Sequence, residues 1–165
     1  MKKLILAALV ALPMSVFAQK FAHVNSATII QAMPEYTTAQ TELQTLGKQY
    51  QDEIQRIQDE LQSKYEDYQK NGASLPDATK QRREQELTDL QERLQQYAQT
   101  AQQDMAKAEQ EKMQVISEKI TKAIQEVGTS GGYVYIMDVT AGIPFINETL
   151  STDVTNQVKT KLGIK

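Results

Sequence analysis

The sequence has no cysteine, no tryptophan and only one histidine, His23, among 165 residues. Without cysteine, a disulfide framework and a lipid-modified cysteine are both excluded. With one histidine, a metal site would have to be built from carboxylates, and no Ser-His-Asp arrangement can be assembled around His23. A glycine loop that cradles phosphate and a Walker-type lysine are also missing. The sequence therefore predicts a protein that is not an enzyme and uses no metal or cofactor.

Long apolar runs are missing too, apart from one at the N-terminus. There, "MKK" precedes an apolar run from Leu4 to Leu12 and then "PMSVFA", the three parts of a secretory signal peptide. The run is far shorter than the roughly 20 residues of a membrane-spanning helix. Val16 and Ala18 fit the small-residue rule and predict cleavage after Ala18. We expect residues 1–18 to be removed and the mature chain to be a soluble protein of the Gram-negative periplasm, without stable membrane insertion.

Basic side chains are in the minority. Residues 19–165 carry 16 basic and 21 acidic side chains, and residues 34–127 alone have a net charge of −6. Because a nucleic-acid partner would favour a clustered basic face, none is expected. The one basic cluster, Lys80, Arg82 and Arg83, fits a solvated helix face better than an anion site.

Residues 34–127 have the pattern of two long amphipathic helices. Apolar residues recur on average about every 3.6 residues, close to the repeat of a coiled coil. A second run with the same spacing extends from Leu87 to Val127, with Lys112 interrupting it. Turn and breaker residues near 71–78 separate the two runs. The sequence predicts an antiparallel helical hairpin, an arm with one buried seam. The first run is Tyr36, Ala39, Leu43, Leu46, Tyr50, Ile54, Ile57, Leu61, Tyr65 and Tyr68.

The two ends of the chain, residues 19–33 and 128–165, predict a small β-rich body. Strands are expected near 21–25, 133–139 and 143–147, the last two joined as a hairpin at "TAG", with a C-terminal helix near 153–162. So few strands cannot bury enough apolar surface alone, so the body is expected to be completed by oligomerisation. The residues expected to form it are Phe21, Val24, Tyr133, Val134, Ile136, Val139, Phe145, Ile146, Val154, Val158 and Leu162.

This order of segments resembles the OmpH/Skp family of periplasmic chaperones along essentially the whole mature chain. The resemblance rests on "PEY" at 34–36, on a strand that ends in Asp138 before a small-residue turn, and on "DVT" at 153–155. It implies an α+β homotrimer whose helical arms project around a cavity. Family members hold unfolded outer-membrane proteins there without ATP. The better-known members are strongly basic, whereas these arms are acidic, so lipopolysaccharide binding is left open.

Candidate contacts to such a client lie near the predicted arm tip. They are the amphipathic rings of Tyr65 and Tyr68 and the cations of Lys80, Arg82 and Arg83. The alternative function is a structural coiled-coil spacer or adaptor of the cell envelope that binds a folded partner. The sequence favours the chaperone, because a spacer needs neither terminal strands nor arms that end free in a loop.

Overall fold

The computed structural model describes residues 19–164, so the predicted signal peptide and the cleavage site after Ala18 lie outside the described residues. The chain is mostly helical, with two long helices and a three-stranded sheet, which confirms the predicted fold class. In chain order the elements are β1 (Lys20–Val24), α1 (Ser26–Ala32), α2 (Pro34–Asn71), α3 (Asp77–Gly131), β2 (Tyr133–Asp138), β3 (Ser151–Asp153) and α4 (Thr155–Lys161).

A break at Met33 separates the short helix α1 from the long helix α2. Met33 has an extended backbone, with φ −77° and ψ 126°, and Pro34 occupies the first helical position, where its fixed φ is favourable. The Asn25 side chain caps α1 by accepting a hydrogen bond from the Thr28 amide at 3.0 Å. The long helix therefore starts in a new direction.

Helices α2 and α3 form the arm. They contain 38 and 55 residues, which at 1.5 Å per residue corresponds to about 57 and 82 Å. Their shared seam buries Ile57, Leu90, Ala101 and Ile116, while most of the residues between are exposed. A short 3₁₀ helix, Gly72–Ser74, connects the two helices at the tip. None of the helices in residues 19–164 is long and apolar enough to cross a bilayer.

The three strands all run parallel, in the order β2-β1-β3, with β1 in the middle. Helix α1, the end of α3 and helix α4 supply the core that packs with this sheet. Helix α3 ends where Gly132 adopts a left-handed conformation, φ 65°, which favours glycine. The core residues are Ala22, Val24, Ile29, Met33, Ala39, Ile116, Ile120, Ala123, Val127, Val154 and Val158.

The predicted strand near 143–147 is wrong, because the third strand is β3, Ser151–Asp153. Strands β2 and β3 lie on opposite sides of β1 and run in the same direction, so the chain between them must cross the sheet. A hairpin cannot make that connection. The "TAG" segment accordingly forms part of a 3₁₀ helix, Val139–Ala141, and Gly142 with φ 76° turns the chain after it.

The C-terminal helix begins later than predicted, at Thr155 instead of about residue 153. Residues 152 and 153 belong to β3, where Thr152 pairs with Ala22 and Asp153 with His23. A strand of three residues directly before a helix is too short to show the two-residue alternation by which strands are recognised in a sequence.

Candidate functional site

One face of the sheet is left largely open by the helices. It carries Phe21 and His23 from β1 and their register partners Tyr135 and Met137 from β2. The rings of Phe21 and Tyr135 stack with their centroids 4.9 Å apart. The segment that crosses from β2 to β3 contributes Ile143, Phe145, Ile146, Asn147 and Leu150 to a groove of about 190 Å³ over these side chains.

Large apolar side chains remain exposed on this part of the molecule. We call Tyr135, Met137, Phe145 and Leu150 the body patch; Phe145 is 78% exposed and Leu150 71%. Val134 is also exposed, but it lies on the other face of β2. Strand β2 is also an edge strand, with an outer side that pairs with nothing in residues 19–164. Exposed apolar patches and open strand edges both favour association with another chain.

The residues predicted to form the body divide into a group in or against the protomer's core and a group that is exposed or half-buried. Val24, Val154 and Val158 are fully buried in the protomer's own core, and Tyr133, Ile136 and Leu162 pack against that core. Val134 and Phe145 are exposed, and the remaining three, Phe21, Val139 and Ile146, are half-buried.

Sequence reasoning missed three members of the body patch: Tyr135, Met137 and Leu150. Alternation along β2 could have found Tyr135 and Met137, because residues two apart on a strand share a face. Leu150 follows an irregular segment and precedes β3, so no periodic signal marks it.

At the arm tip, the two candidate tyrosines have different roles. Tyr65 is 48% exposed, and its hydroxyl accepts a hydrogen bond from the Gln69 amide at 2.9 Å. The Tyr68 ring covers Gly72 so closely that a Cβ there would lie 3.2 Å from the ring. The Tyr68 hydroxyl donates to the Glu84 carboxylate, which raises the pKa of Tyr68. Tyr68 therefore stabilises the tip, while Tyr65 offers a free ring face.

Only part of the basic cluster near the tip is available to contact a client. Arg83 is half-buried and forms an ion pair with Glu86 at 3.2 Å. Glu86 also accepts a hydrogen bond from Lys64 of the other helix, and this bond is the main cause of its lowered pKa. Lys80 and Arg82 are exposed and make no ion pair within residues 19–164.

Two ion pairs connect the helices near the base of the arm. Glu35 meets Lys119 at 2.8 Å, and Glu42 pairs with Lys112. The acids lie seven residues apart on α2 and the lysines seven apart on α3, as antiparallel neighbours with a heptad spacing require. Lys112, which interrupts the apolar series, is thus explained by its partner on the other helix.

Asp138 and the single histidine have structural partners. Asp138 accepts hydrogen bonds from the Ser26 amide at 3.2 Å and the Thr140 amide at 3.1 Å. Burial alone would raise the pKa of Asp138, but its hydrogen bonds outweigh burial and lower it. His23 Nδ1 lies 2.9 Å from the Ser151 hydroxyl. Among residues 19–164 no cluster of three His, Cys, Asp or Glu residues could hold a metal ion.

Comparison with known proteins relates this architecture to one family. The family model described as "Outer membrane protein (OmpH-like)" matches residues 20–162. The Chaperone protein Skp of Photorhabdus laumondii is 32% identical over 165 residues, covering 96% of this chain and all of the relative. That of Yersinia enterocolitica is 29% identical, with coverage of 96% and 100%.

A solved structure has the same fold. The crystal structure of an OmpH-like outer membrane chaperone from Caulobacter crescentus superposes with a TM-score of 0.76 at 15% identity. The superposition covers 87% of this chain and 83% of the other. On the family model and the relative from Photorhabdus laumondii, the chain belongs to the OmpH-like family.

Proposed function

We propose that this protein is an ATP-independent periplasmic chaperone that holds unfolded outer-membrane proteins between its arms and prevents their aggregation. The observation that carries this proposal is a pair of long helices that ends free at a tip and starts from a small body with an open apolar surface. Relatives whose sequences match this chain along their whole length are called Chaperone protein Skp.

Passive binding is sufficient for such a role. Outer-membrane barrel strands alternate apolar and polar residues, so an unfolded barrel in water exposes its lipid-facing side chains and its strand edges. A partner that binds the unfolded form shifts the aggregation equilibrium by mass action and needs no energy source. Several arms around one client give weak contacts a high effective concentration.

The proposal includes assembly into a homotrimer through the body. The body patch and the open edge of β2 support it, because the apolar side chains there have nothing to bury them within one protomer. A closed ring formed by head-to-tail contacts would cover the patch of every copy. The arms would then project from one body and enclose a space for the client.

The proposal also includes export. Residues 1–18 would direct the chain to the periplasm and be removed after Ala18, which would leave Gln19 as the first residue. A Gram-negative periplasm is where an unfolded outer-membrane protein would meet this chaperone. The partners are therefore unfolded barrels and other copies of the same chain, with no nucleic acid and no catalytic reaction.

The competing function is a structural spacer of the envelope that binds a folded partner. A spacer would use its arm tip as a fixed attachment point, whereas this tip ends in a short 3₁₀ connection with an exposed Tyr65 ring and exposed Lys80 and Arg82. The acidic arms do not decide between the two functions.

The direct test is to dilute a urea-denatured outer-membrane barrel into buffer with and without the mature protein. Light scattering should stay low when the protein is present, and adding an ATP-depleting enzyme should change nothing. A control with an already folded barrel should show no complex. Scattering that rises equally in both samples would reject the chaperone and favour the spacer.

A further inference from the structure

Gln19 occupies an unusual place in the exported chain. It is exposed and directly precedes β1, the middle strand of the sheet. We infer that Gln19, once residues 1–18 are removed, closes into an N-terminal pyroglutamyl ring that protects the start of β1. This modification rests on the proposed cleavage after Ala18, because the reaction needs a free α-amine on that residue.

The chemistry requires only groups that Gln19 itself carries. The lone pair of the unprotonated α-amine attacks the side-chain Cδ, and a new amide bond forms between them. The bond from Cδ to the side-chain nitrogen breaks, and this nitrogen leaves as ammonia with the proton lost by the amine. The product is a neutral five-membered lactam, so no oxidant or other reactant is needed. An α-amine has an ordinary pKa near 8, so a fraction is unprotonated at neutral pH.

The surrounding structure leaves room for this ring. The pairing of β1 begins at Lys20, opposite Tyr133, so Gln19 lies outside the ladder. Among the described residues, its side chain has no hydrogen-bond partner that closure would have to break. Closure also removes the positive charge of the terminal amine. The C-terminal end of α3 does not depend on that charge, because the Lys20 ammonium already donates to the Gly131 carbonyl oxygen at 3.3 Å.

The consequence concerns the central strand. Phe21 pairs with Tyr135 on one side and Ser151 on the other, so removal of the first residues would unpair both neighbouring strands. Aminopeptidases need a free α-amine, which the lactam lacks. Chain ends are the usual sites of proteolytic trimming. A lactam at Gln19 therefore protects the one strand on which the whole sheet depends.

The test uses the full chain exported with its own signal peptide and purified from the periplasm. The intact mass should equal residues 19–165 less one ammonia, and Edman degradation should give no first residue. The matched control is Gln19→Asn, whose shorter side chain would have to form a strained four-membered ring. This variant should retain a free amine. In an aminopeptidase digest, the variant should lose Lys20 and Phe21, whereas the wild type should stay intact.

Three results would overturn this inference. A wild-type chain of full mass with a free amine on Gln19 would reject the modification while leaving the cleavage site in place. Equal trimming of wild type and Gln19→Asn would reject the protective role. A chain that starts at another residue would contradict the cleavage site and the modification together, and the light-scattering test would still decide the chaperone function separately.

Discussion

Asp138 shows how one carboxylate joins three parts of the body. It ends β2 and accepts hydrogen bonds from the Ser26 amide at the start of α1 and from the Thr140 amide in the crossing segment. Because its pKa is lowered in the folded state, the ionised form stabilises the fold at neutral pH. That contribution should be lost as the pH falls through the folded-state pKa, below about 4.

The first prediction is that Asp138→Asn lowers the free energy of unfolding by about 1 kcal/mol at pH 7, because hydrogen bonds to a charged carboxylate contribute more than those to the neutral amide oxygen of Asn. Urea unfolding at one fixed protein concentration would measure it. The difference between the two proteins should shrink as the pH falls below the ordinary range of an aspartate, because protonation of the wild-type carboxyl then removes its advantage. The control Glu148→Gln removes a charge from an exposed residue of the crossing segment and should change little. Equal stability of Asp138→Asn and wild type at pH 7 would contradict this role.

Tyr65 and Tyr68 separate client contact from arm stability. We predict that Tyr65→Ser weakens aggregation suppression several-fold, because it removes a half-exposed ring and leaves the tip connection intact. Tyr68→Ser should instead loosen the tip, because the ring that covers Gly72 and the bond to Glu84 are lost. Refolding assays give the first effect, and hydrogen exchange near residues 70–80 gives the second. Unchanged suppression by Tyr65→Ser would exclude this ring as a client contact.

At the scale of elements, the register of the arm depends on ion pairs between its helices. Glu42 and Lys112 have side chains that are 57% and 29% exposed, so their coupling should be modest, about 0.5 kcal/mol. It still matters, because Lys112 is a charged residue within an otherwise apolar series and has this partner only in one register. A charged residue at such a seam position specifies register at some cost in stability.

The prediction is that Glu42→Lys and Lys112→Glu each lower the melting temperature, and that the double variant recovers most of the loss. The pair Lys107 and Glu111 is the matched control, because both residues lie on α3 and are largely exposed. Exchanging them should leave the register unaffected. The coupling between Glu42 and Lys112 should shrink in high salt. Additive effects of the two single changes would contradict a register role.

The helices could be predicted from sequence, whereas one strand could not. The repeat from Tyr36 to Tyr68 and the breakers at the tip are local signals that the structure follows. The strand near 143–147 was predicted from β-branched and aromatic residues, but these residues cross the open face of the sheet instead. The order β2-β1-β3 depends on pairing across more than a hundred residues, which no local pattern records.

At the scale of the whole molecule, the exposure of the apolar side chains in the body patch has no explanation within one protomer. Phe145 and Leu150 contribute almost nothing to the protomer's own core, since both are more than two-thirds exposed. The sequence could assign Phe145 to the body but not to its outer surface. Exposure depends on the complete fold, which composition and periodicity do not contain.

We predict that the double variant Phe145→Ser and Leu150→Ser forms monomers that keep their helical content. The reason is that it removes apolar area from the proposed interface and little from the core. Light scattering coupled to size exclusion gives the mass, and circular dichroism checks the fold. Val115→Ser, which changes a half-exposed residue of the arm, is the control and should leave the assembly unchanged. A double variant with the mass of three chains would contradict this interface.

The measurement that tests the account most directly is the mass of the complex that forms when a denatured outer-membrane barrel is diluted into the mature protein without ATP. Native mass spectrometry should find three copies of this chain, alone and together with a single client, while the client stays soluble. A protein that remains a monomer or dimer while the client precipitates as fast as in buffer would contradict both the assembly and the function.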